Sequence, residues 1–161
     1  MKRKKWSCFF TKYIEPIFKK DDFTTVNLET TLTNATQKAE KKFRFRGDPS
    51  YVNILTRASI EGVNLANNHT LDYGQKGYID TMATLKRANV GYFGNGIRLV
   101  KTVKGVKIGA LGYKGWSDTK AVRQQMENDI DAYENKESKS FSFISIGVRS
   151  EAMCQIARKK R

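Results

Sequence analysis

The chain has 161 residues, of which 39% are hydrophobic and 29% charged, a composition typical of one globular domain and unlike that of a disordered chain. Its 30 Lys and Arg residues outnumber its 16 Asp and Glu residues, and the formal charge of +14 predicts affinity for polyanions. The positive charge lies at both ends and between Lys38 and Arg46, without a basic helix face interleaved with aromatic residues, so we expect no dedicated nucleic-acid binder.

Signals for targeting are weak in this sequence. The basic start Met1–Lys5 is followed only by the short apolar segment Trp6–Phe10, which is too short for the apolar region of a signal peptide. No run of about 20 apolar residues occurs that would span a membrane. As written, the chain is expected to be neither exported nor membrane-spanning, and the residues themselves leave its location unknown.

The first half of the chain shows apolar patterns typical of alternating helices and strands. A segment rich in β-forming residues ends immediately before Glu29, and Pro49 is well placed to begin a helix. In chain order we predict a helix at Trp6–Lys20 that Pro16 splits or kinks, a strand at Phe23–Leu28, a surface loop at Thr30–Lys42 and a helix at Pro49–Ser59.

The second half begins with a central strand, indicated by the apolar residues Val63 and Leu65. After it we predict a helix at Gln75–Ala88 with Ile79, Met82, Ala83 and Leu85 on one face, a strand at Val90–Phe93, a hairpin of Ile97–Val103 and Val106–Leu111, a helix from Asp118 through Tyr133 and a strand at Phe141–Ile146. This order predicts an α/β domain with a mixed sheet, in which helices join parallel strands and an antiparallel portion follows.

Metal-competent side chains follow the central strand. Asn67, Asn68, His69 and Asp72 lie close together in sequence, and His69 is the only histidine in the chain. Open α/β sheets place their ligands at the carboxyl ends of strands, and imidazole nitrogen with amide or carboxylate oxygen suits Mn, Fe, Zn or Mg at a hydrolytic site. The same residues are also typical of an asparagine turn with a loop histidine that is satisfied by local hydrogen bonds.

Glu29 repeats this arrangement at the end of the first predicted strand. If the two strands are neighbours, Glu29 approaches Asn68 and His69 from the adjacent strand. A carboxylate that faces an amide and an imidazole around a cation would form part of a hydrolytic metal centre. The alternative is that Glu29 is a solvated carboxylate at the start of a loop.

Several short motifs occur in an order that is more specific than any one of them. The motifs are Asn27-Leu28-Glu29, Phe45–Tyr51, Asn64–His69, Asp72-Tyr73-Gly74, Gly77 and Asp80-Thr81. Together they resemble the CapA family, the capsule or poly-γ-glutamate synthesis proteins of bacteria, over roughly Trp6 to Ser117. That family resembles calcineurin-type metallophosphoesterases in fold, so the resemblance implies an α/β sandwich of this type.

The resemblance also implies a divalent metal site, with two metals in complete family members. Glu29 would be a carboxylate ligand able to bridge them, Asn68 would be an amide-oxygen ligand, and His69 would be a catalytic proton donor or transition-state stabiliser. Supporting roles would fall to Asn27, Asn67 and Asp72. Asp72 is also typical of an acid that accepts hydrogen bonds from backbone amides in its turn.

The sequence departs from the family pattern at two points. Family members begin with a strand that ends in Gly-Asp, whose Asp is a metal ligand, and Met1 follows the place where that strand belongs. A later His-Trp-Gly motif supplies further ligands, but Phe141–Gly147 contains no histidine. We therefore expect a partial CapA-type domain at residues 1–147, an incomplete sandwich and a basic, unpatterned tail at 148–161. Metal binding should be weak, because affinity depends on the number of ligands.

The expected function is that of a CapA-type protein of capsule or poly-γ-glutamate synthesis, ancestrally a metal-dependent hydrolase and weak or inactive in this truncated form. Expected partners are an anionic polymer, either poly-γ-glutamate or a capsular polysaccharide, and the capsule synthase complex. The family resemblance places such proteins in the cell envelope or outside the cell. The alternative is a non-catalytic accessory protein that binds an anionic polymer or a membrane synthase through its basic surface.

Overall fold

Strands and helices alternate along the chain in a computed structural model that describes residues 11–114, 119–134 and 140–146, the last range by its backbone alone. In chain order the elements are α1 (Glu15–Phe18), β1 (Thr25–Asn27), β2 (Thr31–Leu32), β3 (Arg46–Gly47), a 3-10 helix (Pro49–Tyr51), α2 (Val52–Arg57), β4 (Gly62–Asn64), α3 (Gly74–Arg87), β5 (Gly91–Phe93), β6 (Leu99–Val103), β7 (Val106–Lys114), α4 (Lys120–Glu134) and β8 (Ser140–Ile146). Parallel and antiparallel strand pairs both occur, so the α/β class is confirmed.

Three parallel strands form the sheet that positions the candidate site. Strand β4 lies between β1 and β5, with Val63 opposite Val26 on one side and Tyr92 on the other. Parallel neighbours cannot be joined by a tight turn, and α2 and α3 lie in the connections between these strands. The strand before Glu29 is a neighbour of the central strand, so the condition under which Glu29 was expected to approach Asn68 and His69 is met.

Apolar side chains from α2 and α3 form the main core with this sheet. Val63 and Leu65 belong to the same buried cluster as Leu55 of α2 and Leu85 of α3. Burying a side chain of this size contributes about 1.5–3 kcal/mol. All three residues of β4 are buried, as is typical of a central parallel strand covered on both faces.

Leu85 and Met82 of the predicted apolar face of α3 pack in or against the core, but Ile79 does not. Ile79 is 52% exposed, whereas Gly77, Thr81, Thr84 and Leu85 are buried. The Thr81 hydroxyl accepts a hydrogen bond from a backbone N–H of β2 at 2.9 Å and donates to the Gly77 carbonyl at 2.7 Å. Helix α3 therefore packs on β2 through small and hydroxyl-bearing side chains, and Ile79 faces solvent.

The segment predicted to be a surface loop, Thr30–Lys42, is partly buried. Its residues Thr31–Leu32 form β2, which pairs in parallel with β3, and Thr33 and Ala35 are buried as well. The Thr33 hydroxyl donates to the Asp80 carboxylate of α3 at 2.5 Å. The Thr31 hydroxyl donates to the Phe45 carbonyl. The surface-loop prediction is wrong for this first part, because α3 and the segment before β3 supply partners for its polar groups.

In the described part of the first predicted helix, α1 spans Glu15–Phe18. It begins at Glu15, so Pro16 lies in its first turn, where the missing N–H interrupts no helical hydrogen bond. Tyr13 and Ile17 are 80% and 64% exposed, whereas Phe18 packs against the main core cluster. The portion of this predicted helix before residue 11 lies outside the described residues.

A second three-stranded sheet has β7 at its centre, antiparallel to β6 and parallel to β8. The predicted hairpin is confirmed. Its turn residues Lys104 and Gly105 have φ values of 49° and 81°, the left-handed conformation that two-residue hairpin turns favour. The last predicted strand, Phe141–Ile146, corresponds to β8. Asp118, the predicted cap of the preceding helix, lies outside the described residues.

Glycines allow the two three-stranded sheets to approach closely. A Cβ at Gly112 of β7 would lie 2.0 Å from Oδ1 of Asn64 on β4, and one at Gly91 of β5 would lie 2.8 Å from Leu99 of β6. The strands are divided among separate sheets that contact one another: β6–β7–β8 is mixed, as predicted, whereas β1–β4–β5 is wholly parallel. No helix in residues 11–114 or 119–134 is long and apolar enough to cross a membrane.

Candidate functional site

Strands β1 and β4 end at the same edge of their sheet, and polar residues follow both. Asn27 lies opposite Asn64 in the register, and the Leu28 N–H donates to the Asn64 carbonyl at 3.1 Å, so the pairing extends just past the strand. This alignment brings Glu29 and residues 67–69 to one edge. It follows from the parallel arrangement, because parallel strands present their carboxyl ends on the same side of a sheet.

The side chain of Asn67 connects the two strand ends. It is 3% exposed, and its Nδ2 donates to Oδ1 of Asn27 and to the Leu28 carbonyl, both at 3.0 Å. Its Oδ1 accepts the backbone N–H of His69 at 2.9 Å. Each such hydrogen bond contributes about 1 kcal/mol net, and removing a partner of a buried group costs more. Asn67 thereby holds the start of the histidine turn against the end of β1.

The imidazole of His69 is held by a buried carboxylate. His69 is 7% exposed, and its Nδ1 lies 2.6 Å from Oδ2 of Asp72, which is fully buried. An ionised carboxylate only accepts hydrogen bonds, so Nδ1 carries the proton of this contact and Nε2 is left for chemistry. A carboxylate that fixes the tautomer of a histidine is the arrangement used in general acid–base catalysis.

Three donors converge on Asp72. Besides His69, the ammonium of Lys41 lies 2.8 Å from its Oδ1, and the backbone N–H of Phe45 donates to its Oδ2 at 2.7 Å. Burial alone raises the pKa of Asp72, but the hydrogen bonds from Lys41, His69 and Phe45 outweigh it and bring the pKa below its ordinary value. Asp72 is therefore ionised at neutral pH and acts as an acceptor.

Glu29 faces the other nitrogen of the imidazole. Its Oε1 lies 3.8 Å from Nε2 of His69, and its Oε2 accepts from Nδ2 of Asn27 at 3.2 Å. The side chain of Glu29 is 51% exposed, and Asn68 is exposed as well. The buried Asp72–His69 pair therefore meets solvent at an edge that carries carboxylate and amide groups.

The donor set at this edge suits a divalent cation but is incomplete as a cage. Glu29 supplies a carboxylate near Nε2 of His69, and the exposed Asn68 carries an amide oxygen one residue before it; oxygen and nitrogen ligands of these kinds are bound by Mn, Fe, Zn or Mg. Within the ranges that the structure describes, no group of three or more His, Cys, Asp or Glu side chains is placed to hold a metal ion. The side chains at this edge therefore match a cation in chemical type but do not form a complete ligand group.

Three residues at this edge, Phe45, Lys41 and Asn64, were not predicted from the sequence to have a role in the site. The ring of Phe45 stacks on that of His69 with centroids 4.1 Å apart and planes at 24°, and Lys41 reaches the same histidine turn. The available signal was the alternation of basic and aromatic residues from Lys42 to Arg46. In an extended segment, every second side chain lies on the same side, so Phe45 would share a side with Lys41. The third is Asn64, a buried residue whose Nδ2 has no hydrogen-bond partner among residues placed by the structure.

The family model described as "Bacterial capsule synthesis protein PGA_cap" matches residues 3–159, which is nearly the whole chain. The chain belongs to this family. The resemblance to CapA proteins that the motifs indicated is confirmed, and the match continues beyond Ser117, where that resemblance ended.

Curated relatives of this CapA-family chain carry related names. The "PGA biosynthesis protein CapA" of Bacillus subtilis is 30% identical over 112 residues, which are 63% of this chain and 30% of that protein. The "Capsule biosynthesis protein CapA" of Bacillus anthracis is 30% identical over 113 residues, 63% of this chain and 28% of that protein. A "Probable polyglutamine synthesis accessory protein" of Mycobacterium tuberculosis is 39% identical over 80 residues, 49% of this chain and 21% of that protein. The matched part of the chain therefore spans less than a third of the length of each relative.

Proposed function

We propose that this CapA-family chain carries a metal-dependent hydrolase site that acts in the synthesis of a capsule or of poly-γ-glutamate. One observation carries the proposal: Asp72 holds Nδ1 of His69 at 2.6 Å, while Nε2 of the same ring lies 3.8 Å from Glu29 at the end of the neighbouring strand. A purely structural histidine in a turn has no need of a buried, ionised carboxylate on one nitrogen and an exposed carboxylate near the other.

In this proposal His69 is the catalytic residue that donates a proton. Its Nε2 would carry the proton to the leaving-group atom of a phosphoester or of an amide in the polymer, and Asp72 would stabilise the charged ring before transfer. Asn67 would keep the histidine turn in register with β1 through its bonds to Asn27 and Leu28. Asp72 and Asn67 are thus positioning residues, which do not contact the reacting atoms.

Glu29 and Asn68 are the proposed metal ligands, and Asn27 orients Glu29 through its 3.2 Å hydrogen bond. A divalent cation at such a site supplies a bound water of lowered pKa. The exposure of both side chains leaves them accessible to a cation from solvent. The contact between two sheets, with α2 and α3 packed on the first, supports a sandwich of the metallophosphoesterase type.

The proposed substrate is an anionic polymer, and the proposed partner is the synthase complex of the cell envelope. The names of the Bacillus relatives refer to capsule and PGA biosynthesis. The formal charge of +14 favours association with a polyanion such as poly-γ-glutamate or an acidic polysaccharide.

The test of this proposal is metal-dependent hydrolysis by the 161-residue chain. Cleavage of bis(p-nitrophenyl) phosphate and the chain length of poly-γ-glutamate would be followed with Mn²⁺, Fe²⁺, Zn²⁺ and Mg²⁺ in turn. We expect His69→Gln to lower turnover by about 10²–10⁴-fold, as for loss of a general acid. Glu29→Gln should lower it by reducing metal loading, whereas Glu40→Gln, at an exposed position, should leave it unchanged. Turnover that is equal in all four proteins would refute the proposal.

A non-catalytic accessory role is the second candidate, favoured by the net charge and by the accessory role in the name of the Mycobacterium tuberculosis relative. Binding of poly-γ-glutamate that weakens with added salt, needs no metal and is unchanged in His69→Gln and Glu29→Gln would support it. Binding combined with metal-dependent cleavage would favour the hydrolase.

A further inference from the structure

One segment before the histidine turn makes three separate contacts with one residue of that turn. The segment from Ala39 to Phe45, here called the strap, donates to Asp72 from the Ala39 N–H at 2.9 Å, from the Lys41 ammonium at 2.8 Å and from the Phe45 N–H at 2.7 Å. The first bond is to the main-chain carbonyl of Asp72 and the other two are to its carboxylate. The strap is therefore anchored on the same side chain that holds the imidazole.

The strap also contacts the imidazole itself. The Phe45 ring covers one face of the His69 ring, with centroids 4.1 Å apart. Asp72 occupies the Nδ1 edge of the ring, so the Nε2 edge towards Glu29 is the polar edge left for other partners. Phe45 is 45% exposed and belongs to neither hydrophobic core cluster, so its stacking on the imidazole is not a consequence of core packing.

Lys41 links the carboxylate to the residue beside the histidine. Its ammonium donates to the Asn68 carbonyl at 2.5 Å as well as to Asp72. The charged groups in contact with the Asp72–His69 pair are thus Lys41 on the carboxylate side and Glu29 on the Nε2 side. A single cation fixes both the acid that orients the ring and the main chain from which the Asn68 side chain projects.

We propose that Lys41 and Phe45 are positioning residues that hold the His69 imidazole with Nε2 directed towards Glu29. The proposal rests on the proposed function only for the chemistry that Nε2 performs. The orientation of the ring is a property of the folded chain and does not depend on that chemistry. A strap that merely stabilised its own loop would leave the ring orientation unchanged when the Phe45 side chain is shortened.

Because His69 is the only histidine, all the imidazole signals in a nitrogen-15 correlation spectrum of the chain come from one ring. The spectrum would be recorded without metal, at a single pH at which the ring is neutral. In the native chain we expect the tautomer with its proton on Nδ1, and carbon-bound ring protons shifted upfield by the stacked Phe45 ring. This readout requires no catalytic activity, so it is independent of the proposed function.

Phe45→Leu removes the ring but keeps the backbone N–H that donates to Asp72. The upfield shift disappears with the aromatic ring in any case, so the tautomer is the readout. We expect Phe45→Leu to give a mixture of the two neutral tautomers, and we expect Phe45→Tyr and Phe43→Leu, which alters a nearby residue that is 63% exposed, to retain the native tautomer. A tautomer in Phe45→Leu that is unchanged from the native chain would overturn the role of Phe45. Dispersion of the backbone amide signals verifies that each variant is folded.

Lys41→Met removes the cation and leaves the Phe45 ring in place. It therefore tests the strap even if Phe45→Leu does not fold. We expect a mixture of the two neutral tautomers, because Asp72 loses the donor on its Oδ1, while Lys42→Met should retain the native tautomer. An unchanged tautomer in Lys41→Met would overturn the role of Lys41.

A separate binding measurement with Mn²⁺ links the strap to the proposed metal site. Loss of a residue that orients a metal-site histidine typically lowers metal affinity by about 10-fold to 100-fold. If the strap variants alter the imidazole signals but the native chain binds no Mn²⁺, the positioning role stands and the metal site is refuted. If the native chain binds Mn²⁺ but the variants leave the imidazole signals unaltered, the metal site stands and the positioning role is refuted.

Discussion

Replacing Asp72 with asparagine removes one negative charge and keeps the shape of the side chain. The carboxylate is fully buried and accepts from Lys41, His69 and the Phe45 N–H. In either orientation of its amide, an asparagine points its NH₂ group at one of these donors. At least one buried donor therefore loses its acceptor. Such a loss costs about 1–3 kcal/mol, and Lys41 moderates it because its partly exposed side chain can turn to solvent. We expect Asp72→Asn to reduce the free energy of unfolding by about 2 kcal/mol.

Urea unfolding of the chain at neutral pH measures this loss. With a slope of about 2 kcal/mol per molar urea, 2 kcal/mol shifts the midpoint by about 1 M. The matched control is Asp80→Asn, because Asp80 also pairs with a lysine and accepts from a threonine, but at a partly exposed position. Exposed ion pairs contribute about 0–1 kcal/mol, so this control should shift the midpoint by less than half as much. Equal shifts for the two variants would refute the argument from burial.

The difference in free energy of unfolding between the native chain and Asp72→Asn depends on pH, and the sign of the pKa shift of Asp72 gives the direction of this dependence. Its pKa is lower in the folded state than in the unfolded chain, where the pKa of an aspartate is about 3.9. The stability contributed by Asp72 is therefore fully present above the unfolded value and lost as pH falls through the lower folded value. The native chain and Asp72→Asn should converge in stability at acid pH, and a gap that widens on acidification would contradict this account.

Three further predictions concern the packing around the site, all read from urea midpoints. Asn67→Ala should cost about 3 kcal/mol because three hydrogen bonds of a buried amide are lost, whereas Asn68→Ala, at an exposed position, should cost less than about 0.5 kcal/mol. Gly112→Ala should cost about 3 kcal/mol, because its methyl would lie 2.0 Å from a buried amide oxygen of β4. Thr81→Val should cost about 1–3 kcal/mol by removing the acceptor of a buried β2 N–H, and Thr84→Val, whose hydroxyl accepts only from an exposed arginine, should cost less than half as much.

Elements set by neighbouring residues could be predicted from the sequence. The hairpin turn at Lys104-Gly105 follows from a glycine between two β-forming runs, and the helix after Asp48 follows from Pro49 in its first turn. The strand before Glu29 and its parallel neighbour could likewise be inferred, because polar residues follow two apolar segments. In each case the local chemistry of a few residues decides the backbone conformation.

Features that depend on distant residues could not be predicted in this way. The helical period makes Ile79 as good a core residue as Leu85, and only the position of β2 decides that Thr81 is buried instead. Lys41 and Phe45 reach Asp72 across 31 and 27 residues of sequence, and no local pattern specifies that pairing. Tertiary contacts therefore determine the strap, and the sequence pattern alone leaves it a loop.

The most direct test of the metal site is calorimetric titration of the chain with Mn²⁺. If Glu29 is a ligand and His69 lies beside the cation, Glu29→Gln and His69→Gln should each weaken binding by at least about 10-fold. Glu40→Gln, which removes the same charge from an exposed position, should bind as the native chain does. Binding that is equally strong in all four proteins, or absent from the native chain, would contradict the claim that these two strand ends form a metal-dependent site.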